Sequence, residues 1–140
     1  MATRSYIGRE YDDGSVRAVY CHWDGYPSNN GRILMEHWKD ENKIESMLDE
    51  GDMSSLGNEV GLKHDFSSRG SDCTFYRRDR GESDCEARPH PNRDDFLKGS
   101  VSRGTDYAYL YSNGQWECWS LSIFDGPKYI NMYSVTFESE

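Results

Sequence analysis

The chain has 140 residues and a formal charge of −9, with 29% charged residues, four cysteines and ten tyrosines. That length fits a single domain able to bury a core without metal or disulfide staples, and the acidic balance argues against nonspecific capture of duplex nucleic acid, which needs clustered Lys and Arg. No window approaches the roughly 18 apolar residues of a spanning helix and the N-terminus carries no apolar leader, so no membrane partner is expected.

In chain order, Ser5 to Tyr11 and Ser15 to Cys21 carry β-branched and aromatic residues and flank Asp12-Asp13-Gly14, a turn signal, which predicts a hairpin over 5–21. Val16, Ala18 and Tyr20 then share one face, and Arg17, Val19 and Cys21 the other. After Pro27, Ser28 or Asn29 can cap a helix through Trp38, whose Ile33, Leu34 and Trp38 follow helical spacing. A second helix is expected from Asp40 to Glu50, with Ile44, Met47 and Leu48 on one stripe and Gly51 as its stop.

From Asp52 to Arg103 Gly, Ser, Asp and Arg dominate; only Cys73 to Arg78 reads as a strand, and Phe96 and Leu97 anchor at most a turn of helix. So long a polar stretch reads as binding loops. Tyrosines alternate again over Tyr107 to Tyr111, and Asn113-Gly114 joins them to Trp116 to Ile123 as a hairpin. A last strand, Tyr129 to Phe137, completes the expected fold. It is an α+β single domain over 1–140, a mainly antiparallel sheet of five or six strands with one or two helices on one face.

The chemistry is less local. His22, His37, His64, His90 and the cysteines lack zinc-ligand spacing, so no metal and no cofactor is expected. Cys21, Cys73, Cys85 and Cys118 suit free thiols in a reducing cytoplasm. A thiol nucleophile would need a histidine brought to it by the fold, and Asp12-Asp13 and Asp94-Asp95 lie in turn contexts rather than as an acid/base pair. No catalytic residue is assigned.

A nucleotide-sized binding site has more support. In Tyr20-Cys21-His22-Trp23-Asp24-Gly25-Tyr26-Pro27, Trp23 and Tyr26 offer flat faces for a base, Asp24 an acceptor for an exocyclic amine or ribose hydroxyl, and Gly25 a close backbone approach. Cys73 to Gly81 interleaves aromatics with arginines. As a strand it would place Phe75, Arg77 and Asp79 on one face and Tyr76, Arg78 and Arg80 on the other, with Arg103 a further phosphate donor. The bland alternatives are a corner plug for Trp23 and Tyr26 and a solvated ion-paired face for the arginines and Asp72, Asp79, Glu82 and Asp84. The aromatic hairpin of Tyr107, Tyr109, Tyr111, Trp116 and Trp119 suits either an interface in a homo-oligomer or plain cross-strand packing.

At Thr3-Arg4-Ser5-Tyr6-Ile7-Gly8, Asp13-Gly14, Tyr20 to Pro27 and Gly31, the sequence resembles a family of small proteins carried by bacteriophages and prophages. The resemblance covers the first forty or so residues, and Asp79-Arg80-Gly81-Glu82 more loosely; its motif carries no established catalytic role. It implies a phage protein acting in the host cytoplasm. By analogy with the Thoeris and CBASS anti-defence sponges, such a protein sequesters a nucleotide-derived second messenger, a cyclic nucleotide or cyclic ADP-ribose type, without cleaving it. The competing expectations are an acidic inhibitor of a host defence enzyme or other host protein, and a phosphodiesterase using His22 or His64 as acid or base.

Overall fold

The computed structural model describes residues 2–67, 70–122 and 124–132. In chain order the elements are β1 (Ser5–Glu10), β2 (Val16–Cys21), a π-helical turn over Pro27–Gly31, α1 (Arg32–His37), α2 (Glu41–Glu50), β3 (Met53–Ser55), β4 (Thr74–Phe75), α3 (Tyr76–Arg80), β5 (Arg88–His90), α4 (Arg93–Ser102), β6 (Tyr107–Ser112), β7 (Gln115–Ser120) and β8 (Lys128–Ile130). Local chemistry sets several boundaries. Asp40 caps α2 by accepting the Asn42 N–H at 2.8 Å, and Asn92 caps α4 by accepting the Asp95 N–H at 2.8 Å. Asn113 and Gly114 both take positive φ, as the tight turn between β6 and β7 requires.

All eight strands join one mixed sheet in the order β4-β3-β2-β1-β6-β7-β8, with β5 on the same edge of β2 as β3. β1 runs parallel to β6, and β2 parallel to β3. This corrects the expected antiparallel sheet of five or six strands with helices on one face. The parallel β1–β6 pair joins residues about a hundred positions apart, and β3, β4, β5 and β8 have only two or three residues each, too few to show an alternating pattern. Two helices and three strands also lie in the polar middle expected to be loops. The expected strand Cys73 to Arg78 stops at Phe75, so the face alternation derived for 76–80 does not hold. The last expected strand begins at Lys128; its residues 133–137, Phe137 included, lie outside the described residues, as does Ile123.

Helices cover both faces. On one, Ile7, Val19, Cys21, Tyr109 and Cys118 pack against Leu34, Trp38, Ile44, Met47 and Leu48, from α1, α2 and the link between them. Trp38 is fully buried, donates its Nε1–H to the Gly57 carbonyl at 2.9 Å, and accepts the Trp116 Nε1–H at 2.8 Å on its own carbonyl. On the other face Tyr6, Val16, Ala18, Ala108, Leu110 and Trp119 pack against Phe96 of α4. Gly8 allows that approach, because a Cβ there would lie 3.0 Å from the Phe96 ring. Tyr109, Tyr111, Trp116 and Trp119 are all buried, so these four side chains of the aromatic hairpin are core.

Candidate functional site

The 20–27 segment is first of all a corner. After β2 the chain continues along β3, with the N–H groups of His22 and Trp23 donating to Met53 and Ser54 carbonyls at 3.1 and 3.0 Å. Asp24 then takes φ +56°, and Gly25 donates to the Thr3 carbonyl at 2.8 Å while its own carbonyl accepts the Tyr109 hydroxyl at 2.6 Å. A Cβ on Gly25 would lie 2.9 Å from Ser5 Cβ and from that Thr3 oxygen. Buried Asn30 ties the turn down, donating to Ser5 Oγ at 3.2 Å and Cys21 Sγ at 3.6 Å. Asp24 contributes its carbonyl, which accepts from Asn29 at 3.1 Å.

Beside this corner, the α4-side face carries a row of rings that begins under α4 at Tyr6, fully buried against Phe96, and continues to the partly exposed Tyr20. Tyr6 and Tyr20 are register partners on β1 and β2. Each shares a hydrogen bond with a histidine: Tyr6 Oη with His90 Nε2 at 2.8 Å, and Tyr20 Oη with His22 Nδ1 at 2.7 Å. The His22 ring meets Trp23 edge-on at 4.7 Å between centroids. Tyr76 lies within the electrostatic reach of Tyr20, and Phe66 follows it at 5.6 Å between ring centroids. Burial, and then Arg4 at His22 and Arg103 at His90, hold both histidines below the ordinary imidazole pKa, so both are neutral at pH 7. Burial raises both tyrosines.

Four arginines border the row. Arg103 lies over the Tyr6 ring at 4.7 Å and donates to the Gly99 carbonyl at 3.1 Å. Arg88 forms two bonds to the largely buried Asp52 carboxylate, at 2.8 and 2.7 Å, and Asp52 also accepts the Tyr20 N–H. Exposed Arg4 acts on Tyr20 and His22. Arg80 lies against the neighbouring Phe66 and Tyr76 rings, 4.5 and 5.2 Å from their centroids, and pairs with Glu82.

The fold thus brings Trp23, Arg80 and Arg103 of the expected site to one face and sends the others elsewhere. Phe75 is fully buried in the opposite core. Arg77, exposed on α3, pairs with Glu50 at 3.0 Å. Arg78 is spent on structure: it bonds Asp79 and the carbonyls of Val60, Gly61 and Cys73, and lies over Phe75 at 4.7 Å. Burial alone would raise Asp79, yet bonds from Arg78 and the Phe75 and His64 N–H groups hold it below the usual carboxylate value. Tyr26 is 39% exposed. Asp24 aligns with neither part, its side chain making no hydrogen bond among the described residues. Sequence reasoning missed Arg4, Tyr6, Tyr20, Arg88 and His90. Only the Tyr6–Tyr20 pairing had a local signal, in the hairpin.

Other chemistries gain less. Burial pushes the Cys21 thiol up to about 11 and Cys73 and Cys118 to about 12, and all four cysteines are free and buried, which leaves them protonated and unreactive. His64 is engaged on both ring nitrogens, with Leu62 O and Thr74 Oγ1 at 3.0 Å each. Among the described residues no group of three or more His, Cys, Asp or Glu side chains is arranged to hold a metal, and no helix is long and apolar enough to cross a membrane. An apolar cleft of about 560 Å³ between α4 and the β7–β8 connection, lined by Leu97, Val101, Trp119 and Pro127, lies away from the arginine-bordered row. No protein-family model, curated protein or solved structure matches the chain, so the reading of this face rests on its own geometry.

Proposed function

We propose that the protein captures a nucleotide-derived second messenger on the Tyr6–Tyr20 face and holds it uncleaved, as a phage-encoded sponge against a host immune signal. One observation carries this reading. In a chain of charge −9, Arg9, Arg17, Arg77, Arg78, Arg80, Arg88 and Arg93 each sit in an ion pair, whereas Arg4 and Arg103 make none among the described residues, and both border the aromatic row. Tyr6 itself is fully buried beneath Arg103, but guanidiniums free of carboxylates near the partly exposed Tyr20, His22 and His90 rings suit phosphates beside a base. A sponge needs donors and ring faces, and the two Tyr–His pairs supply further donors without requiring a proton to move.

The test is retention. The purified protein is incubated with cyclic dinucleotides, cyclic trinucleotides and cyclic ADP-ribose isomers, filtered, heat-denatured, and the released compounds identified. Release of an intact ligand supports capture. Release of cut products replaces the sponge with an enzyme, and no retention at all overturns the reading in favour of a host protein partner.

A further inference from the structure

The apolar cleft of about 560 Å³ is made by two elements that turn apolar side chains toward one space. α4 buries Phe96 and Ser100 against the sheet, and its neighbouring stripe of Leu97 and Val101, four residues apart, lines the cleft together with buried Trp119 of β7. From the other side comes the β7–β8 connection, which folds back as a turn: the Gly126 N–H donates to the Ser122 carbonyl at 2.9 Å, and Ser122 Oγ accepts the Phe124 N–H at 3.1 Å. Both ends of that turn, Ser122 and Gly126, line the cleft, and Phe124 between them is 89% exposed. Tyr129, the register partner of Trp119 and edge-on to it at 5.7 Å, is 55% exposed. A phenyl ring left in water next to an apolar cleft forfeits burial that only another molecule can supply.

A projecting ring and a cleft side by side on one surface are complementary to a second copy of that surface turned about a two-fold axis. Charge favours the same partner. The charged residues of the cleft and its turn, Asp94, Lys98, Asp125 and Lys128, are two acids and two lysines that sum to zero, whereas the chain carries −9. Two copies can meet there without bringing acidic faces together, and a strongly charged foreign partner gains nothing from so balanced a surface. Independently of any ligand on the Tyr20 face, we infer that the protein forms a two-fold dimer in which Phe124 of each protomer enters the cleft between α4 and the β7–β8 connection of the other. Reciprocal insertion uses both rings and both clefts, so assembly stops at two.

The experiment is analytical ultracentrifugation, over a wide range of concentration, of the unmodified protein, Phe124→Ser and Val101→Arg, the second of which blocks the cleft with a cation. The unmodified protein is expected at twice the monomer mass, and each substitution is expected to weaken the dimer tenfold or more, as loss of an aromatic anchor or of its pocket does. Phe124 is exposed and Val101 partly so, and an unchanged near-ultraviolet dichroism spectrum checks each variant's fold. The two variants are then mixed. Val101→Arg keeps its ring and Phe124→Ser keeps its cleft, so the mixture regains one of the two contacts and is expected to associate at a concentration where neither variant does alone. A monomer at every concentration overturns the pairing and leaves the cleft to a ligand or another protein. A dimer that both variants retain, a mass that rises past two copies, or a mixture that stays monomeric overturns the reciprocal contact.

Discussion

Beneath α2, the sheet's arginines are answered by carboxylates. Arg9 bonds Glu45 at 2.8 Å and approaches Glu41, and Arg17 bonds Glu45 and Asp49 at 3.2 and 2.8 Å. On the opposite face Arg93 is likewise neutralised by Glu10 and Glu117 at the start of α4, but Arg103 lies over a ring instead of an acid, and exposed Arg4 makes no ion pair among the described residues. The same residue type thus does two jobs. Where a helix closes over the sheet, burying a guanidinium demands a paired acid. Where the helix ends, the guanidinium stays wetted and free for an anion, so an acidic protein can still present a cationic face.

Removing material from the closed face should cost the most. Trp38→Ala empties a fully buried site and strands the Gly57 carbonyl, and is expected to destabilise by about 3–5 kcal/mol in urea denaturation. A loss under about 1 kcal/mol would mean that this core is loosely packed. Arg103→Ala, by contrast, should move stability by less than about 0.5 kcal/mol, since it removes an exposed side chain with no ion pair.

Asp52→Ala should fall between these. It leaves Arg88 without its bidentate partner and the Tyr20 N–H without an acceptor. Complete burial would make that worth 3–5 kcal/mol; with Arg88 about a third exposed, about 2 kcal/mol is expected. The double variant Asp52→Ala with Arg88→Leu should regain part of the loss. Additive losses would show that the pair is not coupled and that Arg88 is more available to a ligand than its two bonds imply.

Acid should separate the faces more gently. Because burial and nearby arginines lower His22 and His90 in the folded state, the unfolded chain binds more protons than the folded one between the folded values and about 6.5, and stability rises with pH through that window. The contribution is whole above about 6.5 and is lost as pH falls. The charged groups acting on His90 are Arg103 and Arg88, which oppose its protonation, and Asp95, which favours it. Urea midpoints should therefore drop from pH 7.5 to pH 5.5, less steeply in His90→Gln and least in His22→Gln with His90→Gln. A slope unchanged in the double variant would place the titrating groups elsewhere.

What the sequence made legible follows from how far apart the partners lie. A turn centred on Asp13 already pairs Tyr6 with Tyr20, and the stripe of Ile44, Met47 and Leu48 already points α2 inward. Arg88 and His90 belong to a three-residue edge strand containing Pro89, which carries no periodicity, and join the row only through pairing with residues 16–18 across some seventy positions. The arginines of 77–80 failed as a strand because four charged residues in a row fit a short helix ended by Gly81 at φ +74° as well as they fit a strand. No local rule told Arg78, consumed by backbone carbonyls, from Arg80, lying against two rings.

The smallest predicted effect decides whether Asp24 belongs to the corner or to the face. Its φ of +56° lies in the left-handed region, where Asp is tolerated and glycine is favoured, and its side chain makes no hydrogen bond among the described residues; only its carbonyl is used, by Asn29. Asp24→Gly keeps that carbonyl and relieves the backbone, while enlarging the freedom of the unfolded chain. The two contributions nearly cancel, so the urea midpoint should shift by less than about 0.5 kcal/mol in either direction. If Asp24 serves only the turn, ligand retention by the variant equals that of the unmodified protein. A tenfold loss of retention at unchanged stability would instead give the carboxylate a role as acceptor for an exocyclic amine or ribose hydroxyl, and would extend the binding face past Trp23 into the corner itself.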